Sequence, residues 1–92
     1  MFEIYESSAF KKDRKRESKN PRYKDLDQRI VEVLLMIYKN GSLPPKFKLH
    51  KLKGRYSEYL ECHVKPDLLM IFRLEKNSVF LYRLGSHAEL FR

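Results

Sequence analysis

The sequence predicts an α+β fold, with two N-terminal helices packed on one face of a small, mainly antiparallel four-stranded sheet in the order β-α-α-β-β-β. Three observations carry that prediction. Apolar residues recur at helical spacing over 21–39, three short apolar strands fill the C-terminal third, and tight turns join those strands. A chain of 92 residues has room for one core, so residues 1–92 are read as a single domain.

The elements follow in order. "FEIY" (2–5) is a short strand with Phe2 and Ile4 on one face. Residues 7–20 open with serines able to cap a helix. Beyond Ala9 and Phe10 this helix has no apolar stripe, so it is expected to dock by its first turn alone and carry a solvated basic face. Asn20-Pro21 punctuates the chain, Asn as an N-cap and Pro in a first helical turn. Leu26, Ile30, Val33, Leu34 and Ile37 then line one face of a helix over 21–39, which Asn40-Gly41 stops. In 42–54, Pro44-Pro45 forbids regular structure. Strands are predicted over 55–64, 68–75 and 78–84, bent at "KPD" (65–67) and turned at "EKNS" (75–78). The middle strand, "LLMIFRL", is apolar on both faces and belongs in the sheet centre.

The formal net charge is +8 and the pI near 9.7, which predicts attraction to polyanions. The charge is localised. Residues 11–24 carry eight Lys/Arg against two acids, and residues 39–55 carry six and no acid. The first cluster reads as a solvated helix face. The second, with Lys46, Lys48, Lys51, Lys53 and Arg55, flanks His50 and leads into a strand, and it reads as a phosphate-binding surface. Tyr56, Tyr59 and Phe47 stand beside it and are placed to stack on unpaired bases. A single cysteine rules out an internal disulfide and fits a reducing compartment. The N-terminus lacks the pattern of a signal peptide, and the longest apolar run, 33–38, falls far short of the ~20 residues of a membrane span. A cytoplasmic protein is expected.

Strand alternation sends Leu60, Cys62 and Val64 to one face and Tyr59, Glu61 and His63 to the other. Cys62 is therefore a small core residue rather than a nucleophile. Asp67 starts the central strand, and Arg83 and His87 flank the end of the last one, where Gly85 permits a sharp departure from the sheet. Taken singly, each histidine reads as a surface or structural residue and Asp67 as a turn former. Together, His50, His63 and His87 are expected to meet in one phosphate-sized pocket with Asp67 and Arg83. That set suits metal-free RNA cleavage. An imidazole serves as base toward a 2′-hydroxyl or as acid toward the departing 5′-oxygen, and a guanidinium steadies the phosphorane. Close paired-ligand spacing such as H-x-x-x-H or C-x-x-C is absent, so a metal site ranks well behind, and no cofactor is expected. A G-x-S-x-G elbow is absent too, which argues against a serine hydrolase.

"HKLKGRYSEYLECHVKPDLLMIFRL", followed by "LYRLGSHAELF", closely resembles the YafQ branch of the RelE/ParE toxin superfamily, toxins of bacterial type II toxin–antitoxin modules. The likeness runs over 43–92, with several motifs in order; the N-terminal helices agree in pattern only. It implies a RelE-like fold and an mRNA endonuclease that cuts translated messages on the ribosome. It also implies a toxin that is monomeric alone and is neutralised in a higher-order complex with an acidic antitoxin. The functional positions of the family fall on His50, His63, Asp67, Arg83, His87 and Phe91. His87 would be the general acid, and His50 and His63 would share base and phosphate-orienting work. Asp67 would assist them, Arg83 would stabilise the transition state, and Phe91 would position a base. Leu68 stands where several members carry Trp, which implies that an aromatic ring at that point is missing or is supplied instead by Tyr56 or Tyr59. Two rival readings are a gyrase poison of ParE type, against which the three histidines speak, and a catalytically silent antitoxin-binding module.

Overall fold

Sixteen side chains, from Phe10 to Leu84, interlock between two helices and one face of a five-stranded sheet. The coordinates are a computed structural model, and the structure describes residues 2–91. Strand β1 (Glu3–Glu6) leads into helix α1 (Ser8–Glu17), and helix α2 (Leu26–Asn40) follows. Strands β2 (His50–Lys51), β3 (Leu60–Lys65), β4 (Leu68–Glu75) and β5 (Ser78–Gly85) complete the sheet, and a four-residue helix, α3 (His87–Leu90), ends it. The strand order is β1-β5-β4-β3-β2, antiparallel except where β1 runs parallel to β5.

The α+β class and the central place of the apolar strand β4 agree with the sequence. The strand count is corrected from four to five, because His50 and Lys51 pair with Glu61 and Leu60. Two residues are too short a strand for a periodicity to reveal. The start of β3 is corrected as well. Gly54, at φ 69, turns the chain into a 3₁₀ turn over Gly54–Tyr56, so pairing begins only at Leu60.

Helix α2 buries Leu26, Ile30, Val33, Leu34 and Ile37, the row that its spacing predicts, and Gly41 (φ 72) ends it with its N–H on the Ile37 carbonyl, 2.8 Å away. Its start lies later than expected: Asn20 caps a 3₁₀ turn over Pro21–Tyr23, and α2 begins at Leu26.

Helix α1 departs most from expectation. Its first turn is capped as foreseen, with Ser7 Oγ accepting from the Phe10 N–H at 2.9 Å. Yet it docks along its whole length through Phe10, Asp13 and Glu17, all buried. The sheet edge supplies the reason. Strand β1 covers β5 only as far as Leu81, which leaves polar backbone groups beyond it. Ser7 Oγ donates to the Tyr82 carbonyl at 2.7 Å, Asp13 accepts from the Leu84 N–H at 2.9 Å, and Arg16 donates to the Leu84 carbonyl at 3.3 Å. A polar helix thus takes the place of a neighbouring strand.

Candidate active site on the open sheet face

The core lies on one face of the sheet, and the strand residues His50, His63 and Arg83 lie on the other. His50 pairs with Glu61, Glu61 with Ile71, and Ile71 with Arg83, so these four form one row across the open face. The next row is His63, Leu69 and Gly85, and His87 follows Gly85 by two residues. The backbones of His63 and Gly85 are therefore two strand spacings apart, about 10 Å. Register thus brings all three histidine-bearing segments to one side of the sheet.

Each histidine is held differently. His50 Nδ1 donates to the Lys48 carbonyl at 2.7 Å, which turns Nε2 toward the Glu61 carboxylate, 3.3 Å away. His63 Nδ1 donates to the Pro66 carbonyl at 3.1 Å, leaving Nε2 outward. Each ring has Nδ1 held by a backbone carbonyl; in His50 the other nitrogen meets Glu61, and in His63 it has no hydrogen-bond partner among the described residues. His87 is the first residue of α3, exposed, with its ring centroid 5.1 Å from that of Phe91. Ser86 and Glu89 fix this short helix by a reciprocal capping box, the Ser86 N–H donating to Glu89 at 2.8 Å.

Glu61 is the functional-face residue that sequence reasoning passed over. It is only 6% exposed, and its carboxylate faces His50. Alternation places it beside His63, but nothing local shows that His50 pairs across from it.

The two remaining charged residues of the candidate set, Asp67 and Arg83, are each held by partners outside it. Asp67 accepts from the Tyr23 hydroxyl at 2.6 Å and pairs with Arg22 at 2.7 Å. The Tyr23 hydroxyl and then the Arg22 charge hold its carboxyl below the ordinary range, while burial and Asp67 push the Tyr23 phenol up to about 12. Asp67 is thus an acceptor near neutrality and has no proton to give. Arg83 donates Nε and Nη2 to Asp13 at 2.7 and 3.3 Å, and that hydrogen bond raises its already high pKa. Its Nη1 has no hydrogen-bond partner among the described residues.

The expectation of one shared pocket is corrected in part. His63 borders a cleft of about 310 Å³ with Arg29, Lys46 and Lys48, whereas Asp67 borders a second cleft of about 520 Å³ with Arg22 and Tyr23. Neither cleft includes His50 or His87. The bend at 65–67 separates the two side chains because Tyr23 and Arg22 draw Asp67 toward the helices. Lys46, Lys48, Lys51, Lys53 and Arg55 are all exposed, as a phosphate surface requires, and Tyr56 is 38% exposed. Phe47 is not available to stack, being buried in the core at 4% exposure. Leu68 is also a core residue, 1% exposed, so at this position the side chain packs rather than meeting a ligand. Gly85 has no left-handed φ; it leaves room for Glu89 and Leu90, which lie 3.2 and 3.3 Å from where a Cβ would stand. Cys62 is fully buried, and burial pushes its thiol up to about 12, which removes it as a nucleophile.

Comparison with known proteins places this geometry. Residues 2–92 match the family described as "Bacterial toxin of type II toxin-antitoxin system, YafQ". The chain is 34% identical to the mRNA interferase toxin YafQ of Escherichia coli K12 over 89 residues, covering 97% of this chain and 95% of that protein. It superposes on the YafQ chain of the E. coli DinJ–YafQ complex with a TM-score of 0.82 at 31% identity, covering 100% of both chains. A metal-bound toxin from Helicobacter pylori matches with a TM-score of 0.84 at 40% identity, covering 99% of this chain and 100% of that one. Among the described residues of this chain no three His, Cys, Asp or Glu side chains come together as a metal-holding group. Among the described residues, no helix is long and apolar enough to cross a membrane. The fold and the full-length matches agree: the chain belongs to the YafQ family of bacterial type II toxin–antitoxin toxins.

Proposed function

We propose that this chain is an mRNA endoribonuclease that works without a metal ion, cuts translated messages on the ribosome, and is silenced by a cognate antitoxin. The carrying observation is the sheet register, which sets His50 and His63 in adjacent rows of the open face and His87 just beyond the end of the second row.

The chemistry follows from the presented atoms. His63 Nε2, with Nδ1 committed to Pro66, takes the proton of the 2′-hydroxyl. The 2′-oxygen bonds to phosphorus, the bond from phosphorus to the 5′-oxygen breaks, and His87 supplies the proton to that leaving oxygen. The products are a 2′,3′-cyclic phosphate and a 5′-hydroxyl. His50, steadied by Glu61, orients the phosphate, and Arg83 offers Nη1 to the charge that builds on it. Asp67 acts through the bend that carries His63, and Phe91, beside His87, positions a base. The exposed Lys46, Lys48, Lys51, Lys53 and Arg55, with Tyr56, guide the RNA strand.

An acidic antitoxin segment suits the same basic loop, and the edges of β1 and β2 are open to an added strand. The toxin alone is taken as a cytoplasmic monomer that enters a larger complex with its antitoxin. The deciding test is His87→Ala, expressed with the antitoxin and purified. Message cleavage, mapped by RNA ends after brief induction, should fall by about 10²–10⁴-fold while antitoxin binding persists. Undiminished cleavage by that variant would overturn the assignment.

A further inference from the structure

The open face continues past the histidine rows into an aromatic cluster in which Tyr59, Phe80 and Tyr82 have no part in the proposed reaction. Arg73 pairs with Phe80 across β4 and β5, and Tyr59 stands just before β3 on the same side. Between them the sheet register slips: Phe72 pairs with Leu81 and Ile71 with Arg83, so Tyr82 is an extra residue. A bulge of this kind turns two consecutive side chains to one face. Here those are Tyr82 and Arg83. The Tyr82 ring lies 4.8 Å from Tyr59, 6.5 Å from Tyr56 and 6.5 Å from Phe80.

Arg73 braces this cluster rather than offering charge. Its guanidinium lies 5.5 Å from the Tyr59 ring and 5.1 Å from the Phe80 ring. Two of its nitrogens are taken by Glu75 at 3.1 and 3.0 Å, and the third reaches the Tyr59 hydroxyl at 3.4 Å. Each of its three nitrogens is engaged, which fixes the guanidinium between the two rings and sets their geometry. Tyr59, Phe80 and Tyr82 are half-buried and Tyr56 is exposed, with Arg55 over its ring at 5.8 Å. The core lies on the opposite face of the sheet, so these rings do not complete it. A rigid, partly exposed aromatic surface beside Arg83 and a basic loop has the composition of a single-strand stacking site.

We propose that Tyr82 and Tyr59, extended by Tyr56 and braced by Arg73, form a platform on which a base of single-stranded RNA stacks next to the scissile phosphate, and that this platform sets the sequence context of cleavage. The inference rests on the ribonuclease reading for the identity of the strand. The bulge is its structural basis, since it pairs a base-binding ring with a phosphate-binding cation in adjacent residues.

The test uses the full chain and a short single-stranded 2′-O-methyl oligonucleotide of mixed sequence, which binds but has no hydroxyl to attack. Tyr82→Phe keeps the ring; Tyr82→Leu keeps apolar bulk without a π face. Affinity should be preserved in the first and fall about 5- to 150-fold in the second, the range for losing one base–aromatic stack. Tyr59 and Tyr82 ring protons should shift on titration while those of Tyr5 and Tyr38 stay fixed, and RNA-end maps should show a changed cleavage context for Tyr82→Leu. Unchanged affinity and context in Tyr82→Leu, with cleavage intact, overturns the platform but not the nuclease. Platform-dependent binding by a wild-type protein that cuts no message overturns the nuclease but not the platform. Failure of the wild type to bind the oligonucleotide overturns the platform. So does a Tyr82→Leu defect confined to antitoxin binding, which would make the cluster a protein interface.

Discussion

Asp13 Oδ2 receives two hydrogen bonds at once, from Arg83 Nε at 2.7 Å and from the Leu84 backbone N–H at 2.9 Å. One buried carboxylate thereby closes the open edge of β5 and aims the cation of the candidate site. Removing it uncovers both partners. Asp13→Ala should destabilise the fold by about 2–4 kcal/mol, through an unsatisfied backbone donor and a broken, largely buried ion pair. The urea midpoint measures this. An Asp13→Ala protein as stable as wild type would show that α1 does not seal the sheet edge.

The same residue makes stability depend on pH in a fixed direction. Burial alone would raise the Asp13 carboxyl, but Arg83 and the Leu84 N–H more than offset it and hold its pKa below the ordinary 3.8. A carboxyl depressed on folding contributes stability above its unfolded pKa and loses it as pH falls through the folded one. The urea midpoint should therefore be steady from neutrality to about pH 5 and drop below about pH 4. Asp13→Asn should flatten that drop. Parallel curves for the two proteins would count against the linkage.

Glu61 is expected to act through His50. Glu61→Gln keeps the shape and loses the charge that faces Nε2 at 3.3 Å. Cleavage should fall by about 1.4- to 5-fold, the worth of one partly exposed ion pair, with kcat affected more than KM. An equal fall on adding Glu61→Gln to a His50→Ala protein would contradict this role.

Gly85→Ala tests how α3 positions His87. The added methyl would crowd Glu89 Oε1 and Leu90 Cδ2, and Glu89 is half of the capping box. These side-chain tips must give by a few tenths of an ångström, which loosens the capping box that holds α3, and cleavage should fall by about 3- to 10-fold with little change in melting temperature. Wild-type turnover in this variant would show that His87 tolerates displacement.

Neutralising the basic loop should change salt dependence more than chemistry. For a single-stranded ligand, each lysine that meets a phosphate adds about 0.7 to the slope of log K against log salt. Lys46→Gln and Lys48→Gln together should lower that slope by about 1.4 if both make such contacts. An unchanged slope would place the RNA elsewhere on the surface.

The sequence by itself determined the α+β class, the α2 face, the central place of β4 and the inert burial of Cys62. These follow from local rules: residues at helical or strand spacing, with caps and turns to bound them. It also showed the set of titratable residues that resemble a nuclease. Only the tertiary structure decided what those residues touch. The pairing of His50 with Glu61, the capture of Asp67 by Tyr23 and Arg22, the docking of α1 through Asp13 and the bulge at Tyr82 all join groups distant along the chain. Hydrophobic periodicity reports which face of an element is buried. Polar contacts depend on where a partner strand ends and which backbone groups it leaves unpaired, and only the assembled sheet fixes that.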